Sequence, residues 1–425
     1  MTTRTIAVDV HHLPRIEGHG NIHVQVSGGR LQEARWDVVE TPRFFEAMLR
    51  GKHYTTAHML AARVCGICSI SHCLTALRAT ERAFGTEITR GASQLRLLAK
   101  HGETLQSHLL HLFFLAAPDF LGAAGVLELR QTHPEIVELA LRLRALGNRM
   151  CDLVAGRTTH PITLQVGGVT MVPDPDVLAE LRAGLGEAME DLTATARLVA
   201  TFDVPDFARE TEFVSLHGEH AYPWIGGSIV SSDGVVRDEH EYLEVTNEFL
   251  DPNNTSKWTR LSRQSYAVGP LARVNNNFDL LHHEARELAL RLGLEPVCHN
   301  PFMAHVARLV ECVHCVKDAM QVIDALVAVP FERTMNEVVP RPGWGVGAVE
   351  APRGVLFHAF RYGEDGRVGA ADAVVPTTQN NNNIHRDLPD LVEQMVLAGE
   401  DDAEIEQRCA MLVRSYDPCL SCSVH

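Results

Sequence analysis

The chain has no run of about eighteen uncharged apolar residues, the minimum from which a membrane-crossing helix is built. It also opens without the charged-then-apolar leader of an exported protein, so a cytoplasmic location and no membrane span are expected. Cysteine is scarce, 10 in 425 residues, which excludes a disulfide scaffold and leaves thiol and metal roles open. Basic residues are outnumbered, 38 Lys and Arg against 54 Asp and Glu, for a formal net charge of −16, and no block of Lys and Arg occurs. Nonspecific nucleic-acid binding needs clustered cations to neutralise phosphate, so it is excluded. Internal repeats are missing, as is any linker long enough to separate independent folding units, and residues 1–425 read as a single domain.

Helical periodicity is what the chain has in quantity. After a small β region over residues 1–40, with strands predicted at Thr5–Val10 and Asn21–Val38 and a hairpin turn at Gly28-Gly29, the pattern changes at Pro42. Apolar residues then recur at helical spacing over Phe44–Leu49, Thr55–Arg63, Ser71–Phe84, Ala92–Ala117, Glu135–Ala155, Asp176–Phe202, Asn277–Leu292 and Ala304–Val329, which Pro330 ends. Residues 42–330 thus form a mainly helical core, interrupted by an irregular or β-containing excursion over 204–257. Residues 343–425 read as a β and turn segment followed by a metal-binding tail. The fold class expected is α+β, mostly α, with a long-helix bundle, a small N-terminal antiparallel sheet and peripheral β excursions.

The few cysteines are placed unevenly. Cys65-Gly66-Ile67-Cys68 is followed by His72, and Cys419-Leu420-Ser421-Cys422 is followed by His425, the last residue. Each Cys-x-x-Cys sets two sulfurs about one turn apart, suited to one metal or to a sulfur-bridged pair, and together they supply four thiolates. A structural zinc site is the plainer reading of four cysteines. Zinc ribbons, however, keep their pairs within about 15 to 20 residues. Here Cys65 and Cys419 are 354 positions apart, in a chain long enough to bury a core without a metal staple. That spacing favours a site that does chemistry. Cys312 and Cys315 fall inside a helical stretch and are expected in core packing, as are His101, His108 and His111.

Between the two cysteine motifs, or just ahead of them, lie Arg15-Ile16-Glu17-Gly18-His19, Gly156-Arg157-Thr158-Thr159-His160-Pro161, Tyr266-Ala267-Val268-Gly269-Pro270-Leu271-Ala272-Arg273, Glu350-Ala351-Pro352-Arg353-Gly354 and Val375-Pro376-Thr377-Thr378-Gln379-Asn380. With the cysteine motifs, in this order and over nearly the whole chain, they resemble the large, catalytic subunit of nickel-iron hydrogenases. The resemblance implies reversible heterolysis of H2 at nickel held by four cysteine sulfurs, two of which bridge to an iron carrying one carbon monoxide and two cyanides. By matching positions, Cys65 and Cys419 are the terminal nickel ligands and Cys68 and Cys422 the bridges. It implies a proton-accepting thiolate at Cys419 relayed by Glu17, and a guanidinium over the metals at Arg353, beside Asp417. It also implies cyanide hydrogen bonds from Pro376, Thr377 and Arg353, and donation from His72 to a bridging sulfur. Many relatives hold an aspartate where this chain has Ser107.

A magnesium ion is implied at the closing residue, bound by His425, Glu46 and a carbonyl near Ala373. In the family an extension is removed just after that histidine, so the sequence reads as mature. No iron-sulfur motif remains once the four ligands are assigned, which implies an iron-sulfur small subunit as partner. Pro42-Arg43-Phe44-Phe45-Glu46 and the Arg-Ile-Glu-Gly-His segment are most similar to the cytoplasmic branch whose complexes add flavin subunits using NAD or NADP. Relatives serving deazaflavin- or heterodisulfide-linked partners read alike, and a zinc-stabilised interaction protein is the alternative of another class.

Overall fold

The computed structural model describes residues 5–328 and 333–425, and in them helices dominate while each sheet is small. Three antiparallel strands come first: Ile6–Val10, Gly20–Ser27 and Arg30–Val38. Gly28 and Gly29 take φ of 61° and 74°, the left-handed conformations a two-residue hairpin demands. Alternation along the middle strand buries Ile22, Val24 and Val26, which join one apolar core with Leu388, Val392, Ile405 and Leu412.

Those last four residues belong to the helices Pro376–Ala398 and Asp402–Ser415, which correct the expectation of strands, turns and tail over 343–425. The reason is visible in the sequence between Thr377 and Asn383. This stretch is wholly polar yet wholly buried, because its side chains bond neighbouring elements instead of water. Asn381 Oδ1 accepts the Trp36 indole N–H at 3.2 Å, and Asn380 Oδ1 accepts the Val268 N–H at 2.8 Å. Buried polar groups paired in this way erase the apolar periodicity by which a helix is recognised.

The long helices Arg90–Leu110, Pro134–Ala155, Pro175–Val199 and Ala304–Ala328 build the largest core. Two helices of this bundle approach closely at Gly102, where a Cβ would stand 3.0 Å from the Gly147 carbonyl. Cys312 and Cys315 are fully buried there as core residues, and burial pushes both thiols well above their ordinary pKa. Val329 and Pro330, the expected end of the fourth helix, lie outside the described residues. Elsewhere two expected helices are divided. Ala92–Ala117 is α-helical only to Leu110 and continues as a π-helix over His111–Ala116, and Asn277–Leu292 resolves into Pro270–Asn277 and His283–Arg291. The excursion at 204–257 carries the short strands Glu212–His217, Ser228–Ser231 and Val236–Arg237.

One sheet positions the site. Gly343–Ala351, Gly354–Tyr362 and Val368–Val374 pair antiparallel and pack on the helix Ser69–Phe84. Gly343, Gly345 and Gly347 fall on one face of the first strand, where a Cβ would meet Ala83 O at 2.5 Å, Ala79 O at 2.0 Å and Thr75 O at 2.2 Å. Only a bare backbone fits against that helix. The close approach directs the end of the strand, Glu350 to Arg353, toward the start of the helix, where Cys68 lies.

Candidate metal centre

Cys65 follows a short 3-10 turn, and Cys68 stands at the N-terminus of the Ser69–Phe84 helix without capping it. The free amides are taken instead by Glu103 of the Arg90–Leu110 helix, whose Oε1 accepts from Ile70 at 2.7 Å and from Ser71 at 3.0 Å. A carboxylate is favoured at a helix N-terminus, and this one ties the cysteine loop to the bundle. The Ile67 and Cys68 amides both point at Cys65 Sγ, each at 3.2 Å.

The second cysteine pair arrives from the far end of the chain. Asp417 takes φ 53°, a left-handed turn that Asp tolerates, and the backbone then pairs Cys419 with Glu17, with Leu420 donating to Glu17 O at 2.9 Å. Gly18 makes the approach possible, since a Cβ there would stand 2.7 Å from Leu420 Cβ. Cys419 Sγ ends 3.7 Å from Cys65 Sγ and 2.7 Å from Cys422 Sγ. The sulfurs of Cys65, Cys68 and Cys422 lie within 4.8 Å of one another, and all four cysteines are buried. Hydrogen bonds from Cys419, Cys422 and Cys68 hold the Cys65 thiol well below its ordinary pKa, toward the thiolate that binds metal. Four sulfurs converging, with no carboxylate grouped with them among the described residues, fit a soft nickel-iron pair.

Arg353 is buried beside this cluster. Its Nε donates to Asp417 O at 2.8 Å, Nη2 to Asp417 Oδ1 at 3.0 Å and Nη1 to Ser107 Oγ at 3.4 Å. Burial opposes the Arg353 charge, yet Asp417 and the sulfurs of Cys419, Cys68 and Cys65 raise its pKa well above the ordinary value. Burial likewise opposes ionisation of Asp417, but Arg353 and His111 hold its carboxyl well below the usual range. Thr377 Oγ1 accepts the Cys419 N–H at 2.9 Å, and Pro376 opens the helix that carries it. Glu17 accepts the Ser421 N–H at 3.0 Å and also bonds the Ser421 hydroxyl. His72 is buried on the cysteine helix, and its described side-chain hydrogen bond runs from Nδ1 to His358 Nε2 at 3.0 Å. No bond from His72 to a cysteine sulfur is among those described.

At the chain end, His425 Nε2 lies 2.8 Å from Ala373 O and 3.6 Å from Glu46 Oε1, while Glu46 Oε1 accepts the Ala373 N–H at 3.0 Å. His425 Nδ1 meets Cys422 O at 2.8 Å. Burial disfavours the charged ring, but the Glu46 carboxylate outweighs it and the His425 pKa is raised. The three groups expected around magnesium are therefore neighbours, and the carboxylate and carbonyl oxygens suit a hard cation, while the imidazole is a softer donor.

Other residues of the site gave no signal as such. His111 sits 3.2 Å from Asp417 Oδ1 and stacks on His305, its rings 5.3 Å apart at 16°. It begins the π-helical segment, a local irregularity frequent at functional sites that no periodicity announces. His358 reaches His72 from the middle strand of the sheet, and Glu103 acts from more than thirty positions away. Arg43 Nη2 donates to Val64 O at 2.6 Å and also bonds Ser421 O, bridging both cysteine segments.

The family model described as nickel-dependent hydrogenase matches residues 43–139 and 232–425. The chain is 31% identical to sulfhydrogenase 1 subunit alpha of Pyrococcus furiosus, over 99% of this chain and 98% of that one. It is 28% identical to the beta subunit of the NAD-reducing hydrogenase HoxS of Cupriavidus necator, over 100% of this chain and 95% of that one. A crystal structure of an NAD+-reducing NiFe hydrogenase in the H2-reduced state is similar at TM-score 0.89 and 28% identity, covering 100% of both chains.

Proposed function

The chain belongs to the nickel-dependent hydrogenase family, and from that premise we propose which of its residues carry the reaction. It is a hydrogenase large subunit, an oxidoreductase acting on H2, with a nickel-iron centre on the cysteine cluster. The observation that carries this reading is the convergence of four buried cysteine sulfurs from two segments 354 positions apart. In our reading residues 1–425 work as a single domain whose first and last segments close the site together.

Cys65 and Cys419 would hold nickel, and Cys68 and Cys422 would be shared with an iron bearing one carbon monoxide and two cyanides. When bound, the metal pair supplies the redox chemistry that splits H2 and accepts its electrons. The Cys419 sulfur receives the departing proton, and Glu17 relays it toward solvent. In support, the Glu17 backbone pairs with that of Cys419 and its carboxylate bonds Ser421, two residues further on. Arg353 stays protonated under the Asp417 charge and orients its field over the metals without acting as the base. The Thr377 oxygen accepts the Cys419 N–H, which leaves its O–H to donate, and that hydroxyl together with the backbone around Pro376 and with Arg353 would bond the cyanides. His72, on the helix that Cys68 opens and within reach of the charge of the Cys65 sulfur, steadies the first cysteine pair. His425, Glu46 and the Ala373 carbonyl would hold magnesium, which would fasten the segment on which Cys419 and Cys422 lie.

Electrons leave through an iron-sulfur small subunit. The relatives named as alpha and beta subunits of larger enzymes support such a partner. Flavin subunits that reduce NAD or NADP, in the cytoplasm, complete the complex in this reading; the NAD-reducing relative and the similar structure favour it. Among the described residues no helix is long and apolar enough to cross a membrane. The test is the purified complex under H2. A viologen dye should be reduced, NAD or NADP should be reduced when the flavin subunits are present, and Cys65→Ser or Cys419→Ser should abolish both. Persistence of dye reduction in the cysteine variants would overturn the ligand assignment.

A further inference from the structure

Arg273 has no role in the chemistry above, yet it is among the most completely buried large side chains of the protein, 0% exposed. It stands on the short helix Pro270–Asn277 and uses every N–H of its guanidinium. Nε donates to Glu311 Oε1 at 2.6 Å, and Nη2 to Glu311 Oε2 at 2.6 Å and to Pro352 O at 3.0 Å. Nη1 donates to Glu350 Oε2 at 3.0 Å and to Ala351 O at 2.9 Å. Arginine offers five donors in a rigid planar fork, so none remains free and the group cannot turn without breaking several bonds.

Three of those acceptors belong to the residues that immediately precede Arg353. The two carboxylates are in turn fixed: Glu311 meets His108 Nε2 at 2.7 Å and accepts the Tyr222 hydroxyl at 2.7 Å, and Glu350 Oε1 accepts the Leu216 N–H at 2.7 Å. The turn itself is pressed onto the start of the Arg273 helix. A Cβ at Gly354 would stand 2.4 Å from Val268 Cγ2, and one at Gly269 would stand 3.0 Å from Arg353 O. By contrast, the Arg353 side chain is held by two bonds to Asp417 and by a long 3.4 Å contact to Ser107. Where that guanidinium stands therefore depends on how firmly its backbone is held.

We infer that Arg273, locked between Glu311 and Glu350, is a positioning residue for Arg353, clamping the Ala351 and Pro352 carbonyls so that the Arg353 guanidinium is set over the cysteine cluster. This rests on the reading of Arg353 as the cation facing the metal pair. Lysine keeps the charge but presents three donors on a flexible stem, and it cannot satisfy all five acceptors. A misplacement of about 1 Å in a site of this kind lowers turnover by roughly 10²-fold.

The test is a double-variant cycle on the assembled enzyme with Arg273→Lys, Arg353→Lys and the pair, each assayed for nickel and iron, for kcat and KM with H2, and by infrared spectroscopy of the iron's cyanides. Arg273→Lys should keep its metals, lose about 10²-fold in kcat with KM little changed, and move the cyanide bands in the direction that Arg353→Lys moves them. In the Arg353→Lys background the same substitution should cost less than about threefold more, because both remove one positioned group. Losses that multiply, or cyanide bands in Arg273→Lys that coincide with the parent enzyme, would overturn the clamp. An Arg353→Lys enzyme with parental activity and bands would instead overturn the reading of Arg353. If Arg273→Lys does not load metal, Glu350→Gln, which replaces one of the two acceptor oxygens facing Arg273 and Leu216 by an amide NH2, enters the same cycle. Its loss must vanish in the Arg353→Lys background, and persistence of that loss refutes the clamp.

Discussion

Replacing Glu17 by Gln separates proton transfer from everything else this residue does. In the folded chain Glu17 accepts the Ser421 N–H at 3.0 Å, bonds the Ser421 hydroxyl, and pairs through its backbone with the segment carrying Cys419. Gln keeps the backbone pairing and one acceptor oxygen. Its one oxygen accepts the Ser421 N–H and its NH2 must donate to the Ser421 hydroxyl, so two carboxylate bonds become neutral ones at a cost of about 1–2 kcal/mol. That is small beside a domain stability of about 5–15 kcal/mol, so the variant should fold and load its metals. The amide cannot exchange a proton at this position, and general acid–base groups contribute about 10²–10⁴-fold to rate, or roughly 3–5 kcal/mol of barrier. Glu17→Gln should therefore retain parental nickel and iron while H2-dependent dye reduction and exchange between D2 and solvent protons both fall by about 10²–10⁴-fold. Unchanged turnover at full metal content would refute the relay.

Other consequences are testable in the same preparations. Burial pushes the Glu350 carboxyl up from 4.5 to about 7 despite the nearby Arg273. The folded state then holds a proton that the unfolded state has lost, so this contribution is complete below 4.5 and fades as pH rises through 7, by about 3 kcal/mol in all. Denaturant midpoints should fall from about pH 5 to about pH 8 more steeply in the parent than in Glu350→Gln, and equal slopes would contradict the buried neutral acid. Gly345→Ala should destabilise by about 3 kcal/mol or more, since its Cβ would stand 2.0 Å from Ala79 O; a parental melting temperature would show that the sheet does not bear on the helix as described. Cys315→Ala should cost about 1–2 kcal/mol of stability with nickel and iron unchanged, and loss of metal would move that cysteine from the core into a site.

Much of this is legible in the sequence, for reasons that differ from place to place. The Gly28-Gly29 hairpin, the long amphipathic helices and the core positions of Cys312 and Cys315 follow from local preference and apolar spacing. The two cysteine pairs were legible as a soft-metal site because their chemistry survives any separation along the chain. Ser107 in place of an aspartate is where Arg353 reaches, as the departure from the family pattern suggested. The helix Pro376–Ala398 was not legible, because a buried face made of Asn, Gln and Thr carries no apolar period. Nor was Glu103 as the cap of the cysteine helix, nor His111 beside Asp417, since both act across distances that only the fold closes. The glycine repeat at 343, 345 and 347 is a period-two signal for close strand-to-helix packing, and it was there to be read.

The central claim is that Cys65, Cys68, Cys419 and Cys422 hold a nickel-iron pair whose iron bears diatomic ligands. It is tested most directly by infrared spectroscopy of the purified protein between the regions of protein and solvent absorption, with nickel, iron and zinc quantified in the same sample. The account predicts equimolar nickel and iron, with bands of one carbon monoxide and two cyanides that disappear in Cys68→Ser. Zinc alone, in a protein without such bands, would contradict it.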